Sequence, residues 1–484
     1  MLLKDLIQDF KFEIFGAKLG TEIEHVTADP ENHAEKSLYI LLKPKNDIKK
    51  LPASGGIAIL QNRPDEKISI PYIVCPDIRR AMAYIYSRFY EIDYKRLSFI
   101  GITGTNGKSS TLTILARILE CDGHNVGCVK TGEISINGKV ITDENYSMTT
   151  PDPSLLYKSI KEMQDAGCDT VVMEVSSHSL ALGKLCPIFF DYGVFTGLSP
   201  EHLDFHSDME EYYQTKKRLF DVTRCAVINM DDEYGKRLYS EIGIKKIGFG
   251  VIGDADAYID SYEDLGLSGS RFKFRLSKKQ INLTLPLVGC YNIYNALGAI
   301  CVCSDMEISP YVIRDGVRNT EIVEGRFQIL SISPTVIVDY AHTECAFECF
   351  LHELRKTCKD KQITVIFGCG GDRDKGKREK IGAAAERYAD KIILTNDNPR
   401  SEDPMDIIRD ILRGVKSKPT YIDTDRARVV KNTVISAETD EVIAIVGKGV
   451  EKYFIDGSGY HKYDEMRLIR DALSKRGKKN ENKA

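Results

Sequence analysis

The run LSFIGITGTNGKSSTLTILARILE, residues 97–120, passes from an apolar strand pattern through a Gly-rich turn into a helical pattern. Backbone amides of GTNGKSS (104–110) and the first turn of the following helix converge where phosphate oxygens can sit. This is a P-loop in its strand-to-helix setting, although Ile102 stands where the full Walker spacing has its first glycine. Gly104, Thr105, Asn106, Gly107, Lys108, Ser109 and Ser110 are therefore the expected ATP-binding residues. Lys108 meets the β- and γ-phosphates in this reading, and the Ser109 hydroxyl ligates Mg²⁺. A helix-capping turn that happens to be Gly-rich is the competing reading.

Around this run the same pattern recurs: short apolar stretches bounded by turn residues, with helical stretches between them, as in βαβ units with mostly parallel sheets. Three blocks result. Residues 1–96 hold strand patterns at 37–42, 57–60 and 72–74 ahead of a helix over 78–90. Residues 97–323 continue through TVVMEV (170–175), YGVFTG (192–197) and CAVINMDD (225–232), and FKFRL and INLTLPL alternate in polarity across SKKQ as an antiparallel hairpin should. Residues 324–474 repeat strand then helix at TVIVDY (335–340), QITVIFG (362–368), KIILTND (391–397) and EVIAIVG (441–447). The polar, basic residues 475–484 read as a disordered tail.

The 484 residues are too many for one core, and a net charge of −4 offers no broad basic field for nucleic acid. Neither a signal peptide nor a membrane-spanning run is expected, so the sequence predicts a cytoplasmic protein acting on small molecules. Thirteen scattered cysteines fit reduced thiols there. Cys301 with Cys303, and His342 with Cys345 and Cys349, match no standard zinc spacing.

A carboxylate at the end of the apolar strand before Glu174 is costly to bury unpaired, and either a Mg²⁺ ion or a basic partner resolves the cost. TGLSPEHLDFH (196–206) offers His202, Asp204 and His206 on a loop; beside Glu174 and Ser109, His202 becomes a metal candidate. Lys216, in QTKKRLF (214–220), reads from composition as part of a solvated helix face.

GTNGKSS, TTPDP (149–153), MEVSSH (173–178), EHLDFH (201–206), QTKKRLF, GCYNIYNALGA (289–299), EGRFQ (324–328), VDYAH (338–342) and FGCGGDRDKGKR (367–378) together resemble the Mur ligase family, in order, over residues 97–460. The pattern is most similar to the MurE branch. The resemblance implies an α/β chain of three domains: one for a UDP-sugar substrate, a P-loop domain for ATP, and a Rossmann-like domain bringing an amino acid. It implies acyl-phosphate chemistry, in which ATP activates a carboxylate that an amine then captures. It implies Lys108, Glu174, His202 and Lys216 as catalytic residues, with Ser109 and Glu174 holding one Mg²⁺ and His202 and a carbamylated Lys216 helping to hold a second. Asn292, Asn295, Arg326 and Asp339 match positions around the nucleotide, with Arg326 as the phosphate contact.

NDNPRSED (396–403) is similar to the motif of branch members that add meso-diaminopimelate, where Arg400 can fork onto a distal carboxylate. Asp397 and Asn398 can receive an ammonium, and Arg373, Gly447 and Glu451 fall at matching positions; a plain Pro-fixed turn is the competing reading. On the acceptor side Thr149, Thr150, Ser176 and Lys184 are the expected UDP-substrate contacts. There the chain departs from the branch: Pro30 and Glu31 follow Asp29 where Ser and Arg are usual, Leu182 and Lys184 replace Gln and Arg, and Val450 replaces His. The expected activity is addition of meso-diaminopimelate to UDP-N-acetylmuramoyl-L-Ala-D-Glu by a monomer using ATP and Mg²⁺. A ligase for another carboxylated carrier and an inactive nucleotide-binding regulator are the alternatives.

Overall fold

The computed structural model describes residues 1–32, 34–43, 47–52, 55–64, 68–141, 148–201, 205–251 and 255–481. Near the N-terminus Ser37–Leu41, Gly56–Leu60 and Tyr72–Val74 pair in parallel, as runs buried on both faces require. The helix Ile78–Phe89 buries Ile78, Met82 and Ile85 in the same apolar cluster as Leu38 and Ile59.

The middle sheet is built on Ser98–Thr103, between the parallel strands Thr170–Glu174 and Phe190–Phe195. The chain leaves this central strand to one side, through Val126–Lys130 and Thr170–Glu174, and later fills the other through Phe190–Phe195, Thr223–Asn229 and Lys245–Phe249. Such a reversal opens a crevice at the carboxyl ends of the strands, where open α/β sheets hold ligands. The hairpin falls where expected, Ser270–Leu276 against Lys279–Leu285, with Ser277 at φ +53° in its turn. Helices Lys108–Cys121 and Cys290–Asp305 share a core in which Leu112, Leu115 and Ile118 join Ile293, Leu297 and Ile300.

A third sheet sets Thr335–Asp339, Val442–Val446, Ile363–Phe367, Lys391–Leu394 and Thr420–Ile422 in parallel, with Gln328–Ile332 antiparallel at its edge. A small hairpin, Tyr453–Asp456 with Gly459–Lys462, follows it. The disordered tail expected over 475–484 is corrected: the helix Glu465–Glu481 takes in its first seven residues. Met466, Ile469 and Ala472 anchor that helix in the core beside Val430 and Val434, and Lys, Arg and Glu are good enough helix formers to extend it. Among the described residues no helix is long and apolar enough to cross a membrane.

Candidate active site

The phosphate loop runs from the central strand into the helix that starts at Lys108. Gly104 and Gly107 take φ of +148° and +86°, and both are crowded as well as left-handed. A Cβ on Gly104 would stand 1.9 Å from Thr196 Oγ1, and one on Gly107 would stand 2.4 Å from Asn295 Oδ1. The second contact ties the loop to the helix Cys290–Asp305, where Asn295 donates to Asn292 Oδ1 at 2.9 Å and Asn292 to the Val288 carbonyl at 2.8 Å. Thr105 and Ser110 are buried, while Asn106 is exposed and accepts from Thr196 Oγ1 through its carbonyl at 2.6 Å. Lys108 is half-buried and curls over the loop, donating to the carbonyls of Gly104 at 2.9 Å and Thr105 at 2.8 Å. Desolvation lowers its pKa, against the pull of Glu174 and Glu201.

Ser109 Oγ donates to Glu174 Oε1 at 2.7 Å, joining two residues 65 apart in sequence. Glu174 is 1% exposed, and among the described residues the other hydrogen bonds to its carboxylate come from Thr131, the amide at 3.2 Å and the hydroxyl at 3.0 Å. The carboxylate is held by hydroxyl and amide donors beside a P-loop serine, and its oxygens are ligands of the kind Mg²⁺ takes. Among the described residues Glu174 makes no direct ion pair, the other of its two readings. Thr131 had not been singled out from the sequence.

Lys216 corrects the expectation of a solvated face. It is 2% exposed, and its ammonium nitrogen lies 3.0 Å from the Gly104 carbonyl, 3.4 Å from Thr103 Oγ1 and 4.9 Å from the centre of the Tyr212 ring. The helix Met209–Lys217 turns Tyr212, Tyr213, Thr215 and Lys216 inward, a register that composition does not reveal. Burial, with help from the charge of Lys108, holds the Lys216 pKa well below its ordinary value. His202 and Asp204 lie outside the described residues. His206 is buried, 5.2 Å from Tyr212 and 6.2 Å from His178 between ring centres.

The C-terminal residues gather on two connected loops. Asp339 accepts from the amides of Phe327 and Ala341, each at 2.7 Å, and so fixes the turn carrying Arg326. Burial raises the Asp339 pKa. Arg326 rests 4.9 Å from the Tyr340 ring, and among the described residues its guanidinium has no hydrogen-bond partner. Its charge is felt at Lys108, which brings the third sheet to the phosphate loop. His342 Nε2 spans the same junction, 3.3 Å from Glu201 Oε1.

The Gly447 amide donates to the Asp339 carbonyl at 3.0 Å, and Asp397 Oδ2 lies 2.9 Å from where a Gly447 Cβ would stand. Asn398 donates to Glu451 Oε2 at 2.9 Å. Arg400, at φ +54°, commits Nη1 to the carbonyls of Gly371 at 2.7 Å and Asn398 at 3.4 Å. Among the described residues its other guanidinium nitrogens have no hydrogen-bond partner. Arg373 is exposed, and both arginines border Gly370, whose Cβ would stand 2.9 Å from Arg400 Nη1 and 3.8 Å from Arg373 Cγ.

On the opposite side of Glu174, Thr150 Oγ1 donates to the Glu174 carbonyl at 3.0 Å and to Ser176 Oγ at 3.2 Å, while Ser176 caps the next short helix. Thr149 is half-buried beside them. Lys184 is buried and paired with Asp152 at 2.7 Å.

A sheet whose strand order reverses around its P-loop strand, with a serine and a buried acid sharing one site, is the arrangement of a nucleotide-binding α/β protein. The chain matches the models of the Mur ligase middle domain over residues 102–303 and of the Mur ligase, glutamate ligase domain over 325–449. It is 35% identical to UDP-N-acetylmuramoyl-L-alanyl-D-glutamate--2,6-diaminopimelate ligase 1 of Clostridium acetobutylicum, over 98% of this chain and 99% of that one. It is 37% identical to the ligase of the same name, without the numeral, from Caldanaerobacter subterraneus subsp. tengcongensis, over 98% and 99%. A solved structure of such a ligase superposes with a TM-score of 0.69 at 25% identity, covering 99% of both chains. The chain belongs to the Mur ligase family. It is an ATP-dependent, amide-forming ligase of peptidoglycan synthesis with the family's three-domain architecture, and the family works with ATP and Mg²⁺.

Proposed function

We propose that this ligase joins meso-diaminopimelate to the D-Glu carboxylate of UDP-N-acetylmuramoyl-L-Ala-D-Glu, as a monomer in the cytoplasm. The observation that carries the reading is the Ser109–Glu174 hydrogen bond at the mouth of a P-loop, beside the buried amine of Lys216. Residues 1–96 take the UDP-sugar, 97–323 the ATP, and the segment from 324 the amino acid. In the first step a carboxylate oxygen of the acceptor attacks the γ-phosphorus, the bond to the departing ADP breaks, and an acyl phosphate forms. In the second, the amine nitrogen attacks the acyl carbon, loses a proton, and the C–O bond to phosphate breaks.

The loop amides from Gly104 to Ser110 cradle the phosphates, and Lys108 and Arg326 lower the repulsion between an anionic acceptor and a triphosphate. Asn292 and Asn295 hold the nucleotide side of the loop. Ser109, Glu174, His202 and Lys216 are the residues to hold Mg²⁺, which supplies charge neutralisation at the transferring phosphoryl group. For Lys216 this requires a carbamate: its neutral amine adds to CO₂ and releases a proton, turning a neutral nitrogen into an anionic oxygen donor. Thr149, Thr150, Ser176 and Lys184 bound the acceptor side, and Lys184 reaches it as half of the pair with Asp152.

At the amino-acid end, Arg400 offers the guanidinium edge that its two backbone carbonyls do not occupy, a match for a distal carboxylate. Arg373 stands next to it, while Asp397, Asn398, Gly447 and Glu451 surround the ammonium. A matrix of carboxylated acceptors against amino acids, read by product mass and phosphate release, tests the assignment. The expected result is amide formation with the UDP-muramoyl dipeptide and diaminopimelate together, and little with lysine. Arg400→Ala should lower kcat/KM for diaminopimelate by on the order of 10²-fold, the scale of one lost charge-assisted pair. Equal use of lysine by the parent enzyme refutes the selectivity, and a product only with another carrier refutes the acceptor.

A further inference from the structure

Lys448 has no role in the chemistry above, yet it is one of the most enclosed charges in the chain, at 0% exposure. Its three ammonium protons have three acceptors: Asn398 Oδ1 at 2.9 Å, the Tyr453 carbonyl at 2.9 Å and Glu451 Oε2 at 3.3 Å. Three rings wall it in, Tyr463, Tyr453 and Phe454, with centres 5.6, 5.7 and 5.9 Å away. The residues it holds are held from elsewhere too. Asn398 Oδ1 also accepts from the Ile455 amide at 3.0 Å, and Glu451 Oε1 accepts from the Tyr340 hydroxyl at 3.1 Å. Glycines on both sides, Gly447 at φ +113° and Gly449 at φ +52°, turn the loop so that this side chain points inward. One ammonium thus joins the loop of Asn398 and Arg400, the loop of Gly447 and Glu451, and the hairpin Tyr453–Asp456.

We infer that Lys448 is a positioning residue for the incoming amino acid: its buried ammonium fixes the side chains of Asn398 and Glu451. A burial this complete is costly for a charge and is compensated only by full hydrogen bonding. A Met would fill the same volume without that cost and without orienting either partner. The inference rests on the amino-acid site proposed above, and it predicts an effect confined to the second step of the reaction.

The test uses the full-length Lys448→Met enzyme, with Lys448→Gln as a second variant that retains amide donors but no charge. Two readouts are taken with ATP, Mg²⁺ and the UDP-muramoyl dipeptide. One is the KM for diaminopimelate and for lysine. The other omits the amino acid and traps the acyl phosphate with hydroxylamine, which displaces phosphate to give a hydroxamate. The expected result is a KM for the amino acid raised by roughly tenfold or more in Lys448→Met, less in Lys448→Gln, with hydroxamate formation within about twofold of the parent. An unchanged KM overturns the inference, and so does a parallel loss of hydroxamate in both variants, which assigns Lys448 to the fold alone. If the parent prefers a different amino acid, the substrate proposed above fails in the parent, while the parent-to-variant ratio still reads Lys448.

Discussion

Lys216→Ala is expected to lower amide formation by on the order of 10²- to 10³-fold, the usual cost of removing one electrostatic contact from a phosphoryl- or acyl-transfer site. Nucleotide binding should change little, because the loop amides and Lys108 are untouched. The physical basis is the burial of this amine against the Gly104 carbonyl. Desolvation and the nearby charge of Lys108 favour the neutral form, and only the neutral amine is nucleophilic towards CO₂. Bicarbonate should not restore the Ala variant, since no nitrogen remains to carry the carboxylate. ¹³C-labelled CO₂ should give a carbamate signal in the parent and none in the variant. Unchanged turnover in Lys216→Ala refutes the carbamate.

Glu174→Gln should cost a similar factor in turnover for a different reason. The substitution keeps the volume and an acceptor for Ser109 and Thr131 but removes the negative charge from a site 1% exposed. Activity should fall by on the order of 10²-fold and require a higher Mg²⁺ concentration. Thermal stability in Mg²⁺-free buffer should hold or rise, because an enclosed charge is exchanged for a neutral amide. A fall in melting temperature with an unaltered Mg²⁺ requirement assigns Glu174 to the fold. Thr131 belongs to the same experiment, since its amide and hydroxyl aim the carboxylate.

Local pattern carried much of the fold. The strand over 98–103 and the hairpin across SKKQ were legible because apolar period and turn residues are properties of adjacent positions. Gly107 and Lys108 were legible for the same reason: a phosphate loop is one continuous segment. Lys216 was not, because TKK reads as solvated until the partner of each helix face is known. Thr131 was hidden by strand order, since it acquires Glu174 as a neighbour only when Val126–Lys130 pairs with Thr170–Glu174. Lys448 was not singled out, because its partners at Asn398 and Tyr453 become visible only once the hairpin folds back. The tail misled in the opposite sense: a basic composition suggested disorder, while the anchoring residues Met466, Ile469 and Ala472 lie upstream of it.

The central claim is that the acceptor's own oxygen passes to phosphate before nitrogen arrives, and labelling that carboxylate with ¹⁸O tests it most directly. The account predicts one ¹⁸O in the inorganic phosphate for each amide formed, read by mass or by the ³¹P isotope shift. Amide product accompanied by unlabelled phosphate contradicts it.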